Sequence, residues 1–294
     1  MAVSSDRLLH PSTLQLLRVH FSFFLMPVFW FAVSQLSWMD PVDTVIVFVI
    51  LHLLVYPASN GYNSYMDRDE GSIGGIKHPL RPTRQLYHIT LLLDMIAVAV
   101  SFFISIYFAV GILAYILVSR AYSYRGIRLK RYPVAGYMLV VLFQGVVTFW
   151  LVYHGCSADK TLDVPTLPML IAGLLIGGFY PLTQVYQHEA DKKDGVITIS
   201  YKLGYRGTFL YCGFLYFTAF VLLAYYFFYN LQATSFYIFS VAMLPVLLYF
   251  FYWARKIWKD TAYADFKHTM QMNTIAAVCT NVAFIIITLK NYFE

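Results

Sequence analysis

Long apolar runs alternate with short polar stretches along the whole chain. Nine of these runs, at roughly 14–36, 43–63, 86–104, 106–120, 135–153, 167–186, 208–229, 234–254 and 270–289, fill most of its length. A helix crossing a bilayer needs roughly 20 mostly apolar residues. The pattern therefore predicts an all-α integral membrane protein with nine transmembrane helices. The third and fourth runs are the hardest to separate. Residues 86–119 form one apolar stretch, too long for a single crossing, with Gly111 as a soft point and no clear turn.

The basic residues test this count. Seventeen of the 21 Lys and Arg residues fall after the second, fourth, sixth and eighth runs, from Arg68 to Arg84, Arg120 to Arg131, Lys192 to Arg206 and Arg255 to Lys267. Arg7 and Arg18 share that side, leaving only Lys160 and Lys290 opposite. Taking 86–119 as one crossing would scatter the bases over both sides. Positive loops stay cytoplasmic, so nine crossings place the N-terminus and the even-numbered loops in the cytoplasm and the C-terminus outside. Composition agrees: 12% of residues are charged, 19% are aromatic and mean hydropathy is +0.62, whereas soluble domains carry about 25% charged residues. The polar start MAVSSDRLLHPST does not read as a cleaved signal peptide. Cys156, Cys212 and Cys279 are scattered and suggest neither a disulfide framework nor a metal site. A multi-pass protein of the cell inner membrane is expected, with no nucleic-acid partner.

The charges recur in a pattern. Asn63 and Asp67 follow the second run, with Asp69 and Glu70 just beyond. Gln187 and Asp191 follow the sixth, with Asp194 beyond. Each pair is an amide and an aspartate four residues apart, hence on one face of a helix. The spacing reads as an internal repeat: a single membrane domain over 1–294, with one parallel four-helix unit over about 14–134, a second over about 135–254 and a ninth helix at about 270–289. Carboxylate and amide oxygens are the ligands Mg²⁺ takes, usually with substrate phosphate completing the shell. Lys77, Arg81, Lys130 and Arg131 can meet the remaining phosphate charge. The alternative reading of each of these residues is a solvated loop charge.

NSYMDRDEGSIGGIKHPLRPT resembles the first aspartate-rich motif of the UbiA superfamily of intramembrane prenyltransferases, N-D-x-x-D-x-x-x-D followed by a basic R-P stretch. QHEADKKDGVITISYKLG resembles the second, with Gly195, Thr198 and Leu203-Gly204 at fitting places. YSYRGIRLKR at 122–131 is similar to the tyrosine-and-base segment after the fourth helix. Three positions depart from the pattern: Ser64 and Gln187 stand where the family has Asp, and Gly71 where it has a third acid, whose place Asp69 or Glu70 can take.

The resemblance implies Mg²⁺-dependent transfer of a prenyl group from an isoprenyl diphosphate to an aromatic acceptor, such as a 4-hydroxybenzoate-like or quinone-precursor compound, or to a lipid acceptor. It implies Asn63, Asp67, Gln187, Asp191, Asp69, Glu70 and Asp194 as metal ligands, and Arg18, Lys77, Arg81, Lys130 and Arg131 on the diphosphate. Asn63, Asp67, Asp191, Tyr122 and Lys130 are the expected catalytic group. Aromatic faces attract cations, so among Tyr65, Tyr122, Tyr124, Tyr180 and Tyr186 one or two are expected to face an allylic cation, and the remainder to pack. Arg18, His20, His52 and Asp94 sit at apparent membrane depth, where a charge needs a partner. Arg18 either reaches the diphosphate or snorkels to the interface. Asp94 pairs with Arg18 or a histidine, or lies nearer an end. The histidines read as neutral and hydrogen-bonded. A secondary transporter with parallel repeats is the alternative, although its charges belong near the midplane. A CDP-alcohol phosphotransferase lacks its D-G-x-x-A-R signature here, and a scaffold has no use for duplicated acidic motifs.

Overall fold

The structure, a computed structural model, describes residues 9–293. Arg7, counted above with the positive residues, lies outside the described residues. The helices are α1 (Pro11–Phe24), α2 (Met26–Val33), α3 (Pro41–Asp67), α4 (Arg84–Ser101), α5 (Ile106–Ser123), α6 (Pro133–Cys156), α7 (Thr166–Lys193), α8 (Ile199–Tyr229), α9 (Ala233–Lys259) and α10 (Phe266–Phe293). Among the described residues there is no strand, only isolated bridges such as Met39 with Ser157. Seven of the helices are long and apolar enough to cross a membrane, and eight if α1 and α2, bent by 42°, form one crossing. The remaining helix, α4, has 18 residues, but Arg84, His88 and Asp94 lower its apolarity below that of a clear span.

The run at 86–119 breaks between Ser101 and Ile106, where the third and fourth runs are expected to part, and the soft point at Gly111 is not used. Ser105 caps α5 by accepting a hydrogen bond from the Phe108 amide at 3.0 Å. An N-cap serine satisfies an amide that the helix cannot. Gly111 instead lies inside α5, where an added Cβ would stand 2.6 Å from Leu151 Cδ2. Span seven also differs: α8 begins at Ile199, before the expected 208, and bends at Gly204.

The loops sort onto two faces. On one, Gln187 Nε2 donates to the Ser72 carbonyl at 3.3 Å, and Arg125 reaches the Met66 and Asp67 carbonyls at 2.6 and 3.1 Å. Those two bonds cap the C-terminal end of α3 with a cation, where the helix dipole is negative. On the other, the Asp40 amide donates to the Cys156 carbonyl at 2.9 Å, the Ala158 amide to Trp38, and Lys160 pairs with Asp43. Thus α3 runs from the second face to the first, and α6 returns. Between the faces the core is aromatic: Phe31 stacks on Phe284 at 4.6 Å and meets Phe149 edge-on at 5.2 Å. Rings of this size bury much apolar surface and prefer such offset and edge contacts.

Two prolines shape the helices that carry the polar motifs. Pro57 lacks the amide that would close the preceding turn, and α3 widens to a π-turn over Ile50–Val55 just before it. Pro181 breaks α7 into a 3₁₀ segment over Tyr180–Gln187. The carbonyl of Gly177, left without its i+4 donor, accepts the Tyr137 hydroxyl at 3.1 Å instead. The tighter winding after Pro181 presents Tyr180, Gln184, Gln187 and Asp191 to one interior space.

Candidate active site

That space is a cavity of about 250 Å³ opening on the first face. Asn63, Asp67, Asp69, Gln187, Asp191, Tyr122, Lys130 and Arg18 line it, so eight of the expected site residues converge from helices α1, α3, α5 and α7 and from two loops. Farther in, the walls are apolar and aromatic, including Phe21, Phe24, Phe143 and Phe179. Charge at the mouth and rings behind it would suit a molecule with an anionic head and an apolar tail.

Asp67 stands at the centre of the electrostatics. Its side chain is 5% exposed. Lys130 pairs with its Oδ2, and Arg128 lies 3.6 Å from its Oδ1, an oxygen otherwise buried without a hydrogen bond. Arg128 also pairs with the Asp194 carboxylate and donates to the Asp194 carbonyl at 2.9 Å. One arginine thus ties the acidic segment of the first half to that of the second. Arg128 adopts a left-handed backbone, φ 50°, as do Arg18 at 48° and Arg68 at 54°. Such positions are uncommon for a side chain with a Cβ and cluster at functional sites. Gly195, φ 71°, closes the second motif, and the amide after it, Val196, returns to the Asp191 carbonyl at 2.8 Å.

The two amides are held by their nitrogen ends. Gln187 Nε2 donates to the Ser72 carbonyl, which can only accept, so Gln187 presents Oε1 elsewhere. Asn63 Nδ2 contacts Ser123 Oγ at 3.0 Å. Asp69 is exposed as a residue but lines the cavity. Partial desolvation there, then the neighbouring Asp67 charge, moves its carboxyl upward from the ordinary range, against the pull of Lys130 and Arg18. Arg18 is buried and donates to the carbonyls of Gly74 at 3.3 Å and Asn60 at 3.1 Å, so it does not snorkel. The hydroxyls of Tyr122 and Tyr180 meet at 2.5 Å.

Other expected site residues lie elsewhere. Glu70 and Arg81 face each other at 3.7 Å with both side chains in solvent. Lys77 is exposed, and Arg131 stacks over Tyr132 with its guanidinium 4.7 Å from the ring centre. Asp194 is held by Arg128 outside the cavity lining. Among the described residues no three His, Cys, Asp or Glu side chains are grouped to hold an ion, and Lys130 and Arg128 pair with the carboxylates of Asp67 and Asp194. Asp94 pairs not with Arg18 or a histidine but with Arg120, which also contacts Thr90 at 3.2 Å and lies 3.9 Å over the Tyr62 ring. His20 is exposed. His52 packs among Phe29, Phe48 and Tyr56, with the Ser22 backbone beside its ring.

Sequence reasoning missed Arg128, Asn60, Gln184 and Asn273 as site residues. Arg128 lies two residues before Lys130 in the same basic segment, with nothing in the spacing to single it out. The three amides carry a usable signal, since a polar side chain inside an apolar span needs a partner or a use.

The profile of the UbiA prenyltransferase family matches residues 24–275. No curated protein matches the chain. Among solved structures, a UbiA homologue from Archaeoglobus fulgidus bound to DMAPP and Mg²⁺ is similar over 94% of this chain and 99% of its own, at 19% identity and TM-score 0.67. An apo UbiA homologue from Aeropyrum pernix K1 is similar over 92% and 98%, at 18% identity and TM-score 0.69. A digeranylgeranylglyceryl phosphate synthase is similar over 95% and 98%, at 20% identity and TM-score 0.62. These likenesses concern the fold, whereas the profile spans most of the sequence and both aspartate-rich segments: the chain belongs to the UbiA prenyltransferase family.

Proposed function

We propose that this protein transfers a prenyl group from an isoprenyl diphosphate to an aromatic or lipid acceptor, with Mg²⁺, at the cavity mouth. The observation that carries the reading is the convergence of Asn63 and Asp67 with Gln187 and Asp191 on one cavity whose inner walls are apolar. The donor set fits the ion. It is all oxygen, as Mg²⁺ prefers, and it includes the buried, hydrogen-bond-free Oδ1 of Asp67. Asn63, Asp67, Asp69, Gln187 and Asp191 would hold the metal, which would act as Lewis acid and template for the departing diphosphate.

The chain's own groups do the remainder. Lys130 and Arg128, released from the carboxylates, turn to the diphosphate oxygens, and Arg18 meets them from α1. Their charge opposes the negative charge that grows on the leaving group. The paired rings of Tyr122 and Tyr180 offer π-faces to an allylic cation, and the aromatic walls keep water away from it. Nine crossings, in two parallel four-helix units and a ninth helix, follow if α1–α2 and α4 each span the membrane. The charged face is then cytoplasmic, in the inner membrane. Membership in a prenyltransferase family and a charge cluster at one face, not at the midplane, give a secondary transporter no support.

The test uses purified protein in detergent with geranyl, farnesyl and geranylgeranyl diphosphates and a panel of aromatic and lipid acceptors. A prenylated product is expected that disappears with EDTA. Asp67→Asn and Asp191→Asn are each expected to lower the rate at least about a hundredfold. Full rates in both variants would overturn the assignment.

A further inference from the structure

The diphosphate reading accounts for the acids and bases at the mouth but not for a set of uncharged amides in the same wall. Asn273 on α10 is 1% exposed, and neither its Nδ2 nor its Oδ1 has a hydrogen-bond partner. Gln184 on α7 is 7% exposed with Oε1 unpaired, and Asn60 on α3 has a buried, unpaired Nδ2. All three line the cavity. A buried amide with no partner is costly, and native proteins rarely keep one without a use. Met270, one turn before Asn273 on α10, faces the same cavity. A leucine would fill the place of Asn273 at no such cost.

We propose that Asn273, with Gln184 beside the cavity, is the specificity element for the acceptor, and that it reads an uncharged hydroxyl group. The inference rests on the prenyl-transfer reading. The unpaired set contains both donors (Asn273 Nδ2, Asn60 Nδ2) and acceptors (Asn273 Oδ1, Gln184 Oε1), and a hydroxyl is the small group that gives and takes a hydrogen bond at once. A carboxylate would leave the two amide oxygens unpaired. An acceptor lacking the hydroxyl leaves these groups buried and unpaired, which is how a polar pocket rejects an apolar analogue.

The test compares wild type with Asn273→Leu, which keeps the number and branching of the side-chain heavy atoms and removes both hydrogen-bonding ends. Three readouts are taken in detergent: melting temperature without ligand, binding of geranyl diphosphate with Mg²⁺, and transfer to 1,4-naphthalenediol and to 4-methoxy-1-naphthol. The expected result is a ligand-free protein that melts higher by about 2–4 °C, with diphosphate binding unchanged within twofold. KM for the diol rises about tenfold, and preference for the diol over its ether shrinks. A lower melting temperature, or an unchanged KM and preference, would overturn the inference, since a structural amide behaves in the first way and a bystander in the second. Absence of transfer by the wild type to any acceptor counts against the prenyl-transfer reading. In that case the melting temperature alone still decides whether Asn273 is held at a cost to stability.

Discussion

At the scale of single residues, the site is a balance of opposite charges, each carrying a cost. Lys130 and Arg128 sit on Asp67 and Asp194 where a diphosphate and its metal would otherwise compete for them. Asp69 has no such cation in contact, and partial burial raises its pKa above the ordinary 3.8. A raised pKa means that the folded protein holds this proton more tightly than the unfolded chain. That contribution to stability is complete below 3.8 and is lost as pH rises through the folded value. At neutral pH the ionised Asp69 therefore destabilises the ligand-free protein. Asp69→Asn is expected to melt higher than wild type at pH 7, and the difference should vanish on acidification to about pH 4. A difference that stays constant across that range would show that the cause is not ionisation.

At the scale of elements, the chain uses helix interruptions to bring its polar groups inside. The π-turn ahead of Pro57 and the 3₁₀ segment after Pro181 rotate the ends of α3 and α7 toward one another. The helix α4, the least apolar, is fastened by Asp94 to Arg120 of α5, with side chains only 12% and 16% exposed. Removing one member strands the other charge, which costs about 3–5 kcal/mol for a buried pair. Asp94→Leu is therefore expected to lower the melting temperature strongly, and adding Arg120→Met should recover much of the loss. Equal melting of the single and double variants would contradict the pairing. The sequence made most helices legible because each crossing needs a long apolar run with its own polar ends. The α4–α5 boundary falls where the third and fourth runs part, with Ser105 capping the second helix there. The motif aspartates were legible because their spacing repeats. The partner of Asp94 was not, because it lies 26 residues away on another helix.

At the scale of the whole molecule, the helices enclose a cavity with charge at the face and rings inside, and side chains from both acidic segments line it. Glu70, Lys77, Arg81 and Arg131 show why sequence alone overfilled the site: a loop brings several charges to the same surface, and only those whose backbone turns inward line the cavity. The proposed function requires Asp67 and Asp191 to hold a metal-bound diphosphate head jointly. It is tested most directly by titrating a non-transferable donor, geranyl thiolodiphosphate, into the purified protein with and without Mg²⁺. The double variant Asp67→Asn/Asp191→Asn is measured alongside. Saturable binding that requires Mg²⁺ and is lost in the double variant is the result expected. Binding of equal strength without the metal, or in the double variant, would contradict the account.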